Sequence, residues 1–116
     1  MLYGKGGLRM AKKTVLITGA NGLVGSALRK LESDFPEYNF VFSTRQDHNL
    51  INENDVKRMF EETSPDYVIH TAARVGGIGR NLSTPAEQYY CNILMNTFVV
   101  HYAHLNNVEK LLAFSS

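Results

Sequence analysis

Three glycines within eight residues carry the strongest chemical signal in this chain: Thr18-Gly19-Ala20-Asn21-Gly22-Leu23-Val24-Gly25. They recur every third position, between a short apolar run and a helix-like stretch, where a backbone turn can come close to a phosphate. Each glycine has a task in such a turn. Gly19 allows the tight bend, Gly22 lets the backbone approach a pyrophosphate, and Gly25 lets the next helix pack closely on its strand. The free amides of the helix's first turn, with the helix dipole behind them, then face the phosphates. The expected cradle is built on Gly19, Gly22 and Gly25, with a tight turn that holds no ligand as the alternative.

A second clue stands about 20 residues further on, where an Asp or Glu would hold the ribose 2′-hydroxyl of NAD and an Arg would receive the 2′-phosphate of NADP. Ser43-Thr44-Arg45 occupies that place, with no carboxylate before Asp47. Arg45 therefore points to NADP, the alternative being a solvated loop arginine. His101 and His104 can meet on one helix face, but no third ligand has suitable spacing, so no metal site is expected. His48 and His70 read as ordinary polar residues and Cys91 as a packed thiol. Gly76-Gly77-Ile78-Gly79, between Arg74 and Arg80, is a candidate second phosphate loop, although no helix begins directly after it.

These residues need elements to hold them. Val15-Leu16-Ile17, Phe40-Val41-Phe42, Tyr67-Val68-Ile69 and Leu111-Leu112-Ala113-Phe114 are short apolar runs that read as strands. Leu23, Val24, Ala27, Leu28 and Leu31 recur at helical spacing, and this helix must end before Pro36. Asn52 is a candidate cap for a second helix with Val56, Met59 and Phe60 on its buried face, stopped by Ser64-Pro65-Asp66. Thr84-Pro85-Ala86-Glu87 is a capping box with proline in the first turn. It opens a helix to about Asn106, with Tyr90, Ile93, Leu94, Thr97, Phe98 and His101 along one broad face.

The sum is β-α-β-α-β-α-β, a pattern that predicts an α/β, Rossmann-type doubly wound parallel sheet. The expected strand order is 3-2-1-4. A fourth strand followed at once by the last residue has no helix over its face and no strand on its edge. Residues 13–116 are accordingly expected to be the N-terminal part of a dinucleotide-binding domain. Residues 1–12 are expected to be a flexible extension, with Met10 as an alternative start.

Composition narrows the partners. Twelve Lys and Arg balance eleven Asp and Glu, for a net charge of +1. This argues against nucleic acid or an anionic membrane as the main partner. The single cysteine asks for no oxidising compartment. The first 13 residues lack the apolar run of a signal peptide or membrane span. The expected location is the cytoplasm.

The Thr18-Gly19-x-x-Gly22-x-x-Gly25 turn and the element order resemble the extended short-chain dehydrogenase/reductase family of nucleotide-sugar epimerases, dehydratases and reductases. His70-Thr71-Ala72-Ala73-Arg74-Val75-Gly76-Gly77-Ile78-Gly79-Arg80-Asn81 is similar to the post-strand segment of that family's GDP-L-fucose synthase branch. Residues 90–97 and 107–112 are similar to its next helix and strand, so the resemblance covers about residues 12–116. It implies NADPH as cofactor and a GDP-sugar as substrate: GDP-4-keto-6-deoxy-D-mannose, epimerised at C3 and C5 and reduced at C4. It implies that Gly19, Asn21, Gly22, Leu23, Val24 and Gly25 contact the cofactor's phosphates and Arg45 its 2′-phosphate. Ala72 and Ala73 would lie along the adenosine and ribose, and Asn92 would order the loop under the nicotinamide half.

Ser116 corresponds to the family's catalytic serine, whose hydroxyl bonds the sugar's C4 oxygen and polarises the ketone. Asn49-Leu50-Ile51-Asn52 stands where many relatives carry an Asp that holds adenine. The family's Tyr-x-x-x-Lys does not occur, so these 116 residues alone are expected to be inactive. The resemblance also implies a homodimer through the helix at 85–106 and a later helix. The rival readings are a UDP-sugar 4-epimerase or dehydratase of the same superfamily, favouring an acidic residue near position 43, and a non-catalytic NADP-binding regulatory module.

Overall fold

The computed structural model describes residues 12–72 and 84–114. Among the described residues four strands alternate with three α-helices: β1 Lys13–Thr18, α1 Leu23–Leu31, β2 Tyr38–Ser43, α2 Glu53–Thr63, β3 Tyr67–His70, α3 Pro85–Leu105 and β4 Lys110–Ala113. All strand pairs are parallel. The α/β parallel sheet expected from the alternation is therefore what forms.

Its strand order is β2-β1-β3-β4, which corrects the expected 3-2-1-4. Burial explains the difference. β1 ends in four successive buried residues, Val15 to Thr18, and takes a partner on each side. β2 buries only Ser43 and exposes Asn39, the pattern of a strand at an edge. β3 buries Val68 and His70 between β1 and β4. The chain therefore runs outward from β1 to β2, crosses back over β1 to β3, and continues outward to β4. Reversal of this kind opens a crevice at the carboxyl ends of β1 and β3, the place where open α/β sheets bind ligands.

Right-handed crossovers put α1 on one face of the sheet and α2 with α3 on the other. On the α2/α3 face, Leu16 and Val68 of the sheet join Leu50, Val56, Met59, Phe60, Met95, Val99 and Ala103 in one core. Val15 and Ile17 point the opposite way, as strand alternation requires. There Tyr38, Phe40 and Phe42 form a row of ring contacts along β2, and the Arg29 guanidinium lies 4.7 Å above the Phe42 ring.

Helix ends obey local chemistry. The Asn52 side chain accepts from the Asp55 amide, and Val56, Met59 and Phe60 are buried as their spacing predicts. Thr84 and Glu87 make the full capping box, with proline next in line. Two helix faces depart from expectation. The buried stripe of α3 is Met95, Val99 and Ala103, while Tyr90 is 64% and Ile93 44% exposed. α3 is apolar around most of its circumference, so its own periodicity does not choose the packed face; α2 and the sheet do. On α1 only Gly25 is buried, and Leu23 is 91% exposed. Among the described residues no helix is long and apolar enough to cross a membrane.

Candidate dinucleotide site

β1 stops where Gly19 enters the left-handed region at φ +66°. The turn closes with the Gly22 amide donating to the Gly19 carbonyl at 2.9 Å, and the Ser26 amide donating to the Gly22 carbonyl at 2.9 Å. Gly22 caps α1 without a side chain, unlike Asn52 and Thr84 at the other two helices. The amides of the first turn of α1 are thus left to whatever docks there. Asn21, Gly22 and Leu23 are exposed and Val24 is half-buried, at the mouth of the crevice.

The three glycines answer to different constraints. A Cβ on Gly19 would lie 2.7 Å from the Ala72 amide nitrogen and the Thr71 hydroxyl, besides being strained by its positive φ. A Cβ on Gly25 would collide with the Gly19 carbonyl and lie 2.7 Å from Ala20 Cα. Gly22 is different. Its backbone is extended, and a Cβ there would meet nothing nearer than the Gly19 carbonyl at 3.3 Å. The fold resists a Cβ there less than at Gly19 or Gly25, and the space beyond Gly22 can take a group that needs bare backbone, such as a pyrophosphate.

A hydrogen-bond chain centred on the buried Thr18 and His70 holds the crevice together. His70 Nδ1 lies 2.7 Å from Thr18 Oγ1, and Nε2 lies 2.8 Å from Asn96 Oδ1 on α3. The Thr71 amide donates to Thr18 Oγ1 at 3.1 Å, and the Thr71 hydroxyl donates to the Thr18 carbonyl at 2.6 Å. Because Asn96 Oδ1 can only accept, His70 Nε2 carries the proton, and the Thr18 hydroxyl donates to a bare Nδ1. Burial pushes the His70 imidazole below its ordinary pKa, against a smaller upward pull from Asn96, and so favours this neutral form. Neither His70 nor Asn96 stood out in the sequence as part of the site, and Thr18 entered only as the first residue of the glycine motif. The available signal was a histidine ending a strand of buried residues, which needs a partner for each ring nitrogen.

At the end of β2 the loop is equally committed. The Asp47 carboxylate accepts from the Thr44 amide at 2.9 Å and the Thr44 hydroxyl at 3.0 Å, and those bonds hold it below the usual carboxylate range. It closes its own turn and is not turned to a ribose. Arg45, within that turn, is exposed, and its side chain makes no hydrogen bond or ion pair to another described residue. Leu50 plugs the core, and the Asn49 side chain accepts from the Ile51 amide at 3.3 Å.

His48 is buried and doubly bonded, to Ser43 and Glu62, rather than a plain loop residue. Cys91 is half-buried rather than fully packed. Ala72 is half-buried against the core beside Gly19, and Asn92 is half-buried on α3, one turn before Asn96. Ala73, Ser116 and the 76–79 loop lie outside the described residues. Among the described residues no cluster of potential metal ligands occurs.

The chain is similar to known proteins over most of its length. GDP-L-fucose synthase of Escherichia coli (strain K12) is 37% identical over 107 residues, covering 92% of this chain and 33% of that protein. The crystal structure of a GDP-L-fucose synthetase from Naegleria fowleri bound to NADP superposes with a TM-score of 0.82 at 29% identity, covering 91% of this chain and 32% of that one. GDP-mannoheptose C4 reductase from Campylobacter jejuni with NADP bound gives 0.80 at 33% identity, covering 94% and 34%. The chain thus spans about a third of the length of these relatives. The NAD dependent epimerase/dehydratase family matches over residues 15–116, and the chain belongs to that family.

Proposed function

We propose that this chain is the cofactor-binding part of an NADP-dependent nucleotide-sugar epimerase/reductase of the GDP-L-fucose synthase type. Its substrate would be GDP-4-keto-6-deoxy-D-mannose and its product GDP-L-fucose. One observation carries the reading. At the crevice between β1 and β3, a side-chain-free helix start at Gly22 stands near a loop that keeps one guanidinium, Arg45, uncommitted. Bare backbone suits the pyrophosphate, and the guanidinium fork suits a 2′-phosphate.

In this assignment Gly19, Asn21, Gly22, Leu23, Val24 and Gly25 hold the phosphates. Ala72 and Ala73 border the adenosine and ribose, and Asn92 supports the nicotinamide half. The bound cofactor supplies hydride; this chain's residues bind and orient it. Ser116 is assigned, by the family resemblance, to the hydrogen bond that polarises the sugar's C4 ketone. The protein is proposed to work in the cytoplasm as a homodimer.

The similarity to a GDP-mannoheptose C4 reductase favours a second reading, reduction at C4 without inversion at C3 and C5. Incubating the full-length protein with NADPH and GDP-4-keto-6-deoxy-D-mannose separates the two by the stereochemistry of the product. No NADPH oxidation with any GDP-4-keto sugar would refute both. For the cofactor, wild type should prefer NADPH to NADH, and Arg45→Ala should cut that preference by about tenfold, equivalent to roughly 1.4 kcal/mol. An unchanged ratio would remove Arg45 from the 2′-phosphate site.

A further inference from the structure

Ser43, His48 and Glu62 form a second histidine chain. Ser43 Oγ lies 2.7 Å from His48 Nδ1, and His48 Nε2 lies 3.1 Å from Glu62 Oε1 on α2. Ser43 and His48 are both buried, whereas the Glu62 side chain is half-exposed. We propose that this chain is a positioning relay that fixes the Arg45 turn and so sets the preference for a 2′-phosphorylated dinucleotide. The proposal rests on the reading of Arg45 as the 2′-phosphate ligand.

The proton order follows from the acceptor at the end of the chain. Hydrogen bonds from His48 and then from Arg58 hold the Glu62 carboxyl below its usual range, so it is a carboxylate that only accepts. His48 Nε2 therefore donates to Glu62, and Nδ1 shares its hydrogen bond with the Ser43 hydroxyl. Each link ties the turn to something rigid. The Ser43 carbonyl accepts from the Ala20 amide at 3.2 Å, joining the end of β2 to the glycine turn. On the α2 side, Arg58 donates to Glu62 at 3.1 Å and to the Asp47 carbonyl at 3.1 Å, and the Asn49 amide donates to Asp55 at 2.9 Å.

His48, Glu62, Arg58 and Asp47 thus close a ring around the C-terminal end of the turn, while Ser43 holds its start. Arg45 sits between the two anchors with its own fork uncommitted. A phosphate ligand on a short turn is only as well placed as the turn itself. Removing the imidazole frees one anchor from the other without touching the glycine cradle, so the loss should fall on the 2′-phosphate and spare the pyrophosphate.

The test is a double-mutant cycle on the full-length protein, reading the NADPH:NADH ratio of dissociation constants. His48→Leu should reduce the preference for NADPH by about tenfold, chiefly by weakening NADPH, and Glu62→Ala should act in the same direction by a smaller factor. In an Arg45→Ala background neither should move it, because the group they position is gone. General damage to the fold would instead weaken both dinucleotides together, and that result overturns the proposal. So does an unchanged ratio in both variants when Arg45→Ala alone collapses it, which leaves the Arg45 reading standing. If Arg45→Ala has no effect, the reading and the relay fall together. Should His48→Leu not fold, Glu62→Ala carries the same decision, since its side chain is half-exposed.

Discussion

Gly25→Ala is expected to destabilise the fold by about 3 kcal/mol, whereas Gly22→Val should leave stability within about 1 kcal/mol of wild type and abolish NADPH binding. The two glycines stand three residues apart in one motif, yet the atoms they face differ. A methyl on Gly25 meets the Gly19 carbonyl and the Ala20 backbone, neither of which can swing aside as a side chain would. Relief requires α1 to move off the turn, and Gly25 is the one buried residue of that helix. A methyl on Gly22 meets nothing closer than 3.3 Å, and its backbone is in a region any residue adopts. The two γ-methyls of valine would project into the space assigned to the pyrophosphate. Urea unfolding and NADPH titration on the full-length protein read the two effects separately. A Gly22→Val variant that still binds NADPH would show that the dinucleotide does not lie against this turn. A Gly25→Ala variant as stable as wild type would show that α1 is free to retreat from β1.

How much of this was legible in the sequence depends on how local each feature is. The Thr84-Pro85-Ala86-Glu87 box and the Asn52 cap are decided within four residues, and both form as read. The glycine turn is equally local. The strand order is not: connections of similar length allow β3 to join either side of the β1-β2 pair, and both solutions obey right-handed crossover. The exposed Asn39, second residue of β2, was the one available hint that this strand lies at an edge. The packed face of α3 was hidden for a related reason. Its apolar residues surround the helix, and only contact with α2 and the sheet selects Met95, Val99 and Ala103. Hardest of all were the two histidine chains. His70 finds Thr18 across 52 positions and Asn96 across 26, so no spacing rule brings them together. Folding does so because parallel pairing sets Thr18 opposite His70.

That pairing gives the second large effect, a loss of stability in mild acid that originates at His70. Burial lowers its pKa in the folded state from the 6.5 of a solvated imidazole. Below about 6.5 the unfolded chain takes up a proton that the folded chain refuses, so stability must rise with pH across that window. The contribution of the neutral ring is complete above 6.5 and is lost as pH falls beneath it. The structural reason is visible in the donors. A protonated Nδ1 would point a hydrogen at Thr18 Oγ1, which already accepts from the Thr71 amide, and the Thr18 hydroxyl would lose its acceptor.

His70→Leu should therefore cost about 2 kcal/mol at about pH 7.5, because it strands the buried Thr18 hydroxyl. Yet its unfolding midpoint should change less than that of wild type between about pH 7.5 and about 5.5. Asp47, Asp55 and Glu62, whose carboxyls are held below their ordinary values by hydrogen bonds, act at lower pH. They are shared by both proteins and cancel in the difference. Two parallel pH profiles would mean that His70 titrates alike in the folded and unfolded chains. The neutral bridge between the glycine turn, β3 and α3 would then have to be abandoned.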